Sequence, residues 1–201
     1  MCTYPLEGLE LIELWRHADT DDTCKIILIY CYTGLRPIEL INMRLDDIHI
    51  AEKYMIGGVK TAAGRNRTIP IADCILPFVR HFYNIARFKG ISTLLISGNG
   101  KAMQSAHPLR VAVKSAFTQY NLPQHLPHDF RHTFVSLAAH CHIPDYQIRR
   151  IVGHASRDNV TDAVYTHIGI NELLCAVNAL PWGDSPALKD FRPVSHLLAT
   201  C

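Results

Sequence analysis

The segment LPHDFRHTF (126–134) combines histidine, arginine and a helix start. On a helix that begins near Pro127, the side chains of His128, Arg131 and His132 share one face, at spacings i, i+3 and i+4. Backbone N–H groups and the dipole at a helix N-terminus also favour an anion. The segment therefore fits a phosphate site, although a surface helix with solvated histidine and arginine side chains has the same pattern.

The tetrapeptide His-x-x-Arg is a weak signal by itself, because it occurs as HPLR (107–110), HDFR (128–131) and HASR (154–157). We interpret HPLR as an ordinary helix start. The same HDFR segment also allows a metal site, if His125, His128 and His132 converge. The chain has no H-E-x-x-H motif to support that alternative.

A second arginine lies at another helix start, in TGLRPIEL (33–40). Glu39 follows Arg36 by three residues, a spacing that is typical of a surface ion pair of small energetic value. The functional interpretation is a buried Arg36, held by Glu39 and directed at an oxyanion. Arginine suits that role because its planar guanidinium binds phosphate through two hydrogen bonds.

The segment GGVKTAAGRNRTIPI (57–71) predicts a β-hairpin with Lys60 at the end of its first strand. Arg65 and Arg67 make the predicted tip basic. A solvated turn is the usual explanation of such a tip. Alternatively, the tip follows a nucleic-acid backbone while Lys60 reaches a site as a proton donor.

The segment IRRIVGHASRDNVTDAVYTHI (148–168) predicts a helix that stops at Gly153, with His154 directly after the stop. A second helical pattern follows, in which Tyr165 lies about 100° away from the apolar face. Tyr165 therefore need not belong to the core. The apolar face consists of Val160, Val164 and Ile168.

The elements that position these residues predict an α+β fold, mainly helical, with a small antiparallel three-stranded sheet. Short segments rich in β-branched residues between 45 and 72 predict the sheet. Helical periodicity surrounds it on both sides. The predicted helices cover 7–17, 22–33, 35–43, 75–88, 106–121, the HDFR segment, 144–153 and 160–180. The proline-rich sequence after Pro181 predicts a tail or a docking arm.

Composition limits the class of protein. Of 201 residues, 48% are hydrophobic and 19% are charged, which is typical of a folded globular domain. The net charge of +2 is too small to indicate a polyanionic partner by itself. Seven cysteines without a C-x-x-C spacing indicate a reducing compartment. The acidic N-terminus is not typical of a signal peptide, and the run IILIYCY (26–32) is too short to span a membrane. We therefore expect a cytoplasmic protein.

Taken in order, these segments resemble the catalytic domain of the tyrosine recombinase, or phage integrase, family. That family combines an arginine in TGLRxxEL, a lysine on a hairpin, His-x-x-Arg at a helix start, Gly-His after the next helix and a tyrosine about ten residues later. The resemblance extends from about residue 7 to about residue 175. The matching catalytic residues are Arg36, Lys60, His128, Arg131, His154 and Tyr165.

The resemblance implies site-specific recombination of DNA, by integration or excision, without metal, ATP or any other cofactor. Tyr165 is then the nucleophile that forms a 3′-phosphotyrosyl bond, and Lys60 protonates the 5′-oxygen that leaves. His128 is the acid or base on the tyrosine side, and His154 binds the phosphate. Glu39 supports Arg36. The expected DNA contacts are Arg65, Arg67, His132 and Arg157.

The resemblance also implies double-stranded DNA as the partner, self-assembly as a tetramer in the synaptic complex, and association with the nucleoid. We expect residues 1–175 to form the catalytic domain, and residues 176–201 to be the end of the C-terminal helix and a tail that can dock on a neighbouring protomer. The core-binding domain that usually precedes this domain is absent, so we expect an excised domain or a truncated gene product. Two alternatives stay open: a catalytically weak or silent DNA-binding remnant, and a histidine-rich metal protein.

Overall fold

The structure is a computed structural model that describes residues 4–58, 66–154 and 169–193. Helices form most of it, and one small sheet lies between the third and fourth helices, as predicted. The helices are α1 (Gly8–His17), α2 (Asp22–Thr33), α3 (Pro37–Ile41), α4 (Leu76–Phe88), α5 (Ala106–Gln119), α6 (Pro127–His140), α7 (Asp145–Val152), α8 (Ile170–Asn178) and α9 (Pro186–Lys189).

The sheet has the order β1–β2–β3 and is antiparallel throughout. Its strands are β1 (Ile48–His49), β2 (Tyr54–Gly57) and β3 (Arg67–Pro70). In the register, Gly57 pairs with Arg67 and Tyr54 pairs with Pro70. The sheet confirms the predicted antiparallel meander, while Lys60 and Arg65 lie outside the described residues.

The second helix is the centre of the hydrophobic core. Every residue from Ile27 to Thr33 is 0% exposed, and α2 packs against α1, α4, α5 and α6. Asp21 caps the helix by accepting a hydrogen bond from the Thr23 amide at 2.7 Å. Gly34 ends it in the left-handed conformation, with φ of 64°. The cap is therefore the residue directly before the predicted helix 22–33.

The C-terminal tail packs on its own chain as far as the structure describes it. Leu188 and Phe191 are 0% exposed, and the Gly8 amide donates to the Phe191 carbonyl at 3.1 Å. A Cβ on Gly8 would lie 1.6 Å from the Leu188 oxygen, so this contact requires glycine. Residues 181–193 are thus a docking arm for α1 of the same chain. The proposed boundary after residue 175 falls inside α8, which continues to Asn178.

Among the described residues, no helix is both long and apolar enough to cross a membrane.

Candidate active site

The start of α3 fixes the first arginine of the site. Pro37 occupies the first helical turn, where its missing N–H costs no helical hydrogen bond. The Glu39 carboxylate accepts from the Arg36 backbone amide at 2.9 Å and from Arg36 Nη1 at 3.1 Å. The side chain of Arg36 is 21% exposed, whereas that of Glu39 is 2% exposed. Glu39 therefore holds Arg36 through two hydrogen bonds, and it is Glu39, not Arg36 as expected, that is buried.

Arg67 lies on the other side of the same carboxylate. Its Nη1 and Nη2 donate to the two oxygens of Glu39 at 3.0 and 2.7 Å, and its Nε donates to the Ile151 carbonyl at 2.8 Å. Burial raises the pKa of Glu39, but hydrogen bonds and charge from Arg67, with those from Arg36, outweigh it and leave the pKa below its usual range. Glu39 is therefore an ionised carboxylate shared by two arginines.

The expectation that Arg67 lies on an exposed basic tip is wrong. Arg67 begins β3 and is 2% exposed, because its guanidinium connects α3 to the last turn of α7. A side chain in this position supports the site from inside the protein. We therefore withdraw Arg67 as a DNA contact.

The second arginine of the site joins two helix ends. Arg131, on α6, is 3% exposed. Its Nη1 donates to the Gly34 carbonyl at 2.7 Å, just after α2, and its Nη2 donates to the Val152 carbonyl at 2.8 Å, the last residue of α7. Carbonyls at helix C-termini lack helical partners and carry partial negative charge, so they suit a guanidinium. The alternative of a solvated surface arginine is thus excluded for Arg131.

His154 completes this group from the end of α7. Gly153 ends that helix with φ of 72°, as predicted, and the His154 amide donates to the Arg149 carbonyl at 3.1 Å. Burial, and then the positive charges of Arg131 and Arg36, lower the pKa of His154 to about 4. The imidazole is therefore neutral at pH 7 and lies in a cationic environment.

His128 lies at the exposed start of α6. Asp129, one residue later, stabilises that start because its carboxylate accepts from the Leu126 amide at 2.8 Å. Burial and the charge of Arg131 lower the pKa of His128, with Arg36 acting in the same direction. His128 is therefore also neutral at pH 7, which allows its imidazole to accept a proton.

His132 does not share this exposed face. It is 5% exposed, and its ring meets the ring of His128 edge-on, with centroids 4.8 Å apart. The expectation that His132 shares the exposed face of α6 with His128 and contacts DNA there is wrong, because the ring of His132 is buried.

The three histidines of the metal alternative do not converge. His125 directs Nδ1 to the Tyr4 carbonyl at 3.0 Å and Nε2 to the Glu10 carboxylate at 3.1 Å. Within residues 4–58, 66–154 and 169–193, no three histidine, cysteine or acidic side chains are grouped in a way that could hold a metal ion. His125 instead connects α6 to the N-terminal segment.

Besides burial, Arg131 and Arg36 both lower the pKa of His128 and that of His154, and Arg131 bonds the Val152 carbonyl two residues before His154. Arg36, His128, Arg131 and His154 were singled out in the sequence together with Glu39, and their catalytic roles stay predictions. Sequence reasoning missed the supporting role of Arg67 and the carbonyl acceptors of Arg131. Lys60, Arg65, Arg157 and Tyr165 lie outside the described residues.

The phage integrase family matches residues 8–172, and the chain belongs to that family. It is 26% identical over 159 residues to a tyrosine recombinase from Thermosipho africanus, a match that covers 77% of this chain and 52% of the relative. It is 28% identical over 156 residues to tyrosine recombinase XerC from Psychromonas ingrahamii, covering 76% and 50%.

Solved structures with the same fold include the integrase from mycobacterium phage Brujita, with a TM-score of 0.73 and 16% identity over 99% of this chain and 63% of that one. The XerA recombinase crystal structure has a TM-score of 0.66 and 22% identity over 86% and 63%. XerH bound to its difH substrate has a TM-score of 0.61 and 20% identity over 83% and 50%. The chain spans about half the length of the first two curated relatives described above.

Proposed function

We propose that this chain cuts and rejoins double-stranded DNA at a specific site through a 3′-phosphotyrosyl intermediate. The observation that carries the proposal is the pair Arg36 and Arg131, each fixed from inside the protein and each raising the positive potential at His154. Membership of the phage integrase family supports the same chemistry.

The site suits phosphoryl transfer because negative charge accumulates on the non-bridging oxygens of the phosphate during in-line attack. Arginines that the fold already holds need little reorganisation when that charge develops. His154 is neutral and therefore can donate one N–H to the phosphate without carrying a charge of its own. We assign Arg36, Arg131 and His154 to phosphate binding.

Three further residues carry out the bond formation and the proton transfers of the proposed reaction. The Tyr165 oxygen attacks phosphorus and gives its proton to the neutral His128, so a P–O(Tyr) bond forms. The bond from phosphorus to the 5′-oxygen breaks, and Lys60 supplies the proton that makes a 5′-hydroxyl. A second 5′-hydroxyl then reverses both steps, and no external energy source is consumed because one phosphodiester bond replaces another.

Arg65 and Arg157 stay in the proposal as DNA-backbone contacts, on the basis of the sequence alone.

A tetramer also follows from the stoichiometry of the reaction. Complete exchange between two duplexes needs four strand cleavages, and each chain supplies one Tyr165. We propose that four chains assemble on two DNA sites, and that this binding associates the protein with the nucleoid. Light scattering of the protein–DNA complex measures the number of chains.

The test is covalent capture of DNA. The protein, at low salt and in the presence of EDTA, is incubated with labelled nicked duplexes of randomised central sequence, and SDS-resistant adducts are separated and sequenced. We expect an adduct from the wild type, enriched in one sequence, and none from Tyr165→Phe.

A matched control, Tyr83→Phe, alters a tyrosine of α4 and should leave the adduct intact. Specific DNA binding by the wild type without an adduct would contradict the proposal and favour a catalytically silent DNA-binding protein. Loss of folding or of the adduct in EDTA would favour the metal alternative.

A further inference from the structure

The buried ring of His132 lies against a residue that the mechanism uses. The two imidazoles meet at an interplanar angle of 83°, with centroids 4.8 Å apart, one helical turn from each other on α6. Edge-to-face contacts of this kind have a preferred geometry. Within the part of the chain that the structure describes, no other aromatic ring contacts His128, and its side chain makes no hydrogen bond.

One nitrogen of the His132 ring is unused, since Nδ1 is buried and has no hydrogen-bond partner within the described residues. Burial lowers the pKa of His132, protonation of His128 and the charge of Arg131 act in the same direction, and Asp129 opposes them. The pKa of His132 is therefore below its usual 6.5, and the ring is neutral at pH 7. A buried polar atom without a partner costs stability, and an apolar ring of the same shape would avoid that cost.

We propose that His132 is a positioning residue for His128, and that its ring, not its nitrogens, fixes the orientation in which His128 receives the proton of the nucleophile. His132 is 5% exposed, on the side of α6 that faces the core, whereas His128 is exposed. A proton acceptor that samples several orientations is aligned with the hydroxyl of the nucleophile for only part of the time. This inference rests on the proposed function.

The test compares two substitutions at one position, using the DNA substrate identified by covalent capture. His132→Ala removes the ring, and we expect the rate of adduct formation to fall about 10- to 100-fold, with the DNA dissociation constant unchanged. His132→Phe keeps a ring, and we expect a rate within about threefold of wild type and an equal or higher melting temperature. His107→Ala, at an exposed histidine of α5, is the control and should leave both quantities unchanged.

A double variant shows whether His132 acts through His128. We expect His128→Ala/His132→Ala to react no more than about twofold slower than His128→Ala, because the second substitution has nothing left to orient. Multiplicative losses would overturn the proposal, as would a His132→Phe rate as low as that of His132→Ala.

The outcomes separate the two proposals. An adduct that forms equally fast in wild type and His132→Ala contradicts positioning and leaves the proposed function intact. The absence of any Tyr165-dependent adduct in the wild type contradicts both.

Discussion

Replacing Glu39 with glutamine tests whether one carboxylate holds both arginines in place. Oε1 of Glu39 accepts from Nη1 of Arg36 at 3.1 Å and from Nη1 of Arg67 at 3.0 Å. Oε2 accepts from the Arg36 amide at 2.9 Å and from Nη2 of Arg67 at 2.7 Å. Glutamine turns one of these oxygens into an NH₂ group, so two donors would face a third donor and Arg67 would lose its counter-ion.

The expected loss of unfolding free energy in Glu39→Gln is large because Glu39 and Arg67 are both buried. The side chains of Arg67 and Glu39 are 1% and 2% exposed, and breaking such a pair from one side costs about 3–5 kcal/mol. With a urea dependence of about 3 kcal/mol per molar, the unfolding midpoint of Glu39→Gln should fall by about 1–2 M.

Urea unfolding followed by circular dichroism measures the effect. Glu13→Gln is the matched control, since Glu13 also bonds two basic side chains, Arg16 and His17, but is 29% exposed. We expect it to cost less than about 1 kcal/mol. Equal losses in the two variants would refute the reasoning.

The pH dependence gives a second check on Glu39. Because the pKa of Glu39 is lowered in the folded protein, its stabilising effect is present above the unfolded value of 4.5 and is lost as the pH falls through the folded value. The difference in unfolding free energy between wild type and Glu39→Gln should therefore shrink below pH 4.5. A difference that stays constant on acidification would show that the carboxylate charge is not what holds the arginines.

Four further variants, one of them a control, test three other contacts. Asp129 and Glu10 outweigh burial and raise the pKa of His125 from 6.5 to about 9. About 3 kcal/mol of stability should therefore be lost between pH 6.5 and 9 in the wild type and not in His125→Gln, as urea titrations at each pH would show. Gly34→Ala should cost about 2–4 kcal/mol, because φ is +64° and the new Cβ would lie 2.6 Å from Phe134. Gly90→Ala, at φ of +66° with nothing within 4 Å, should cost only about 1–2 kcal/mol in the same urea assay. Phe191→Ala should cost about 3–5 kcal/mol by thermal unfolding, and a loss below about 1 kcal/mol would contradict tail docking.

Local signals predicted most of the elements correctly. Pro37 and Pro127 each mark the first turn of a helix, and Gly34 and Gly153 each end one in the left-handed conformation. These residues act through backbone geometry that depends on neighbours in sequence, so the sequence alone carries the information.

The site was predicted less completely, because its supports come from distant parts of the chain. Arg67 bonds Glu39 across 28 residues, and Arg131 bonds the Gly34 carbonyl across 97 residues. One local signal for Arg67 was available. Strand residues alternate between two faces, so Arg67 shares a face with Ile69, which is 0% exposed. Because Arg67 is basic and close to the predicted hairpin tip, it was interpreted as exposed, although the alternation of strand residues indicates a buried side chain.

The two hydrogen bonds from Arg131 to carbonyl oxygens determine when the site loses its structure during unfolding. Since this guanidinium connects the end of α2, in the core, to the end of α7, its position depends on the most protected part of the molecule and not on a surface loop. Segments of this kind open only with the whole fold. On heating, phosphate binding should then disappear together with global unfolding, and amide hydrogen exchange at the ends of α2 and α7 should report the same opening free energy as the core.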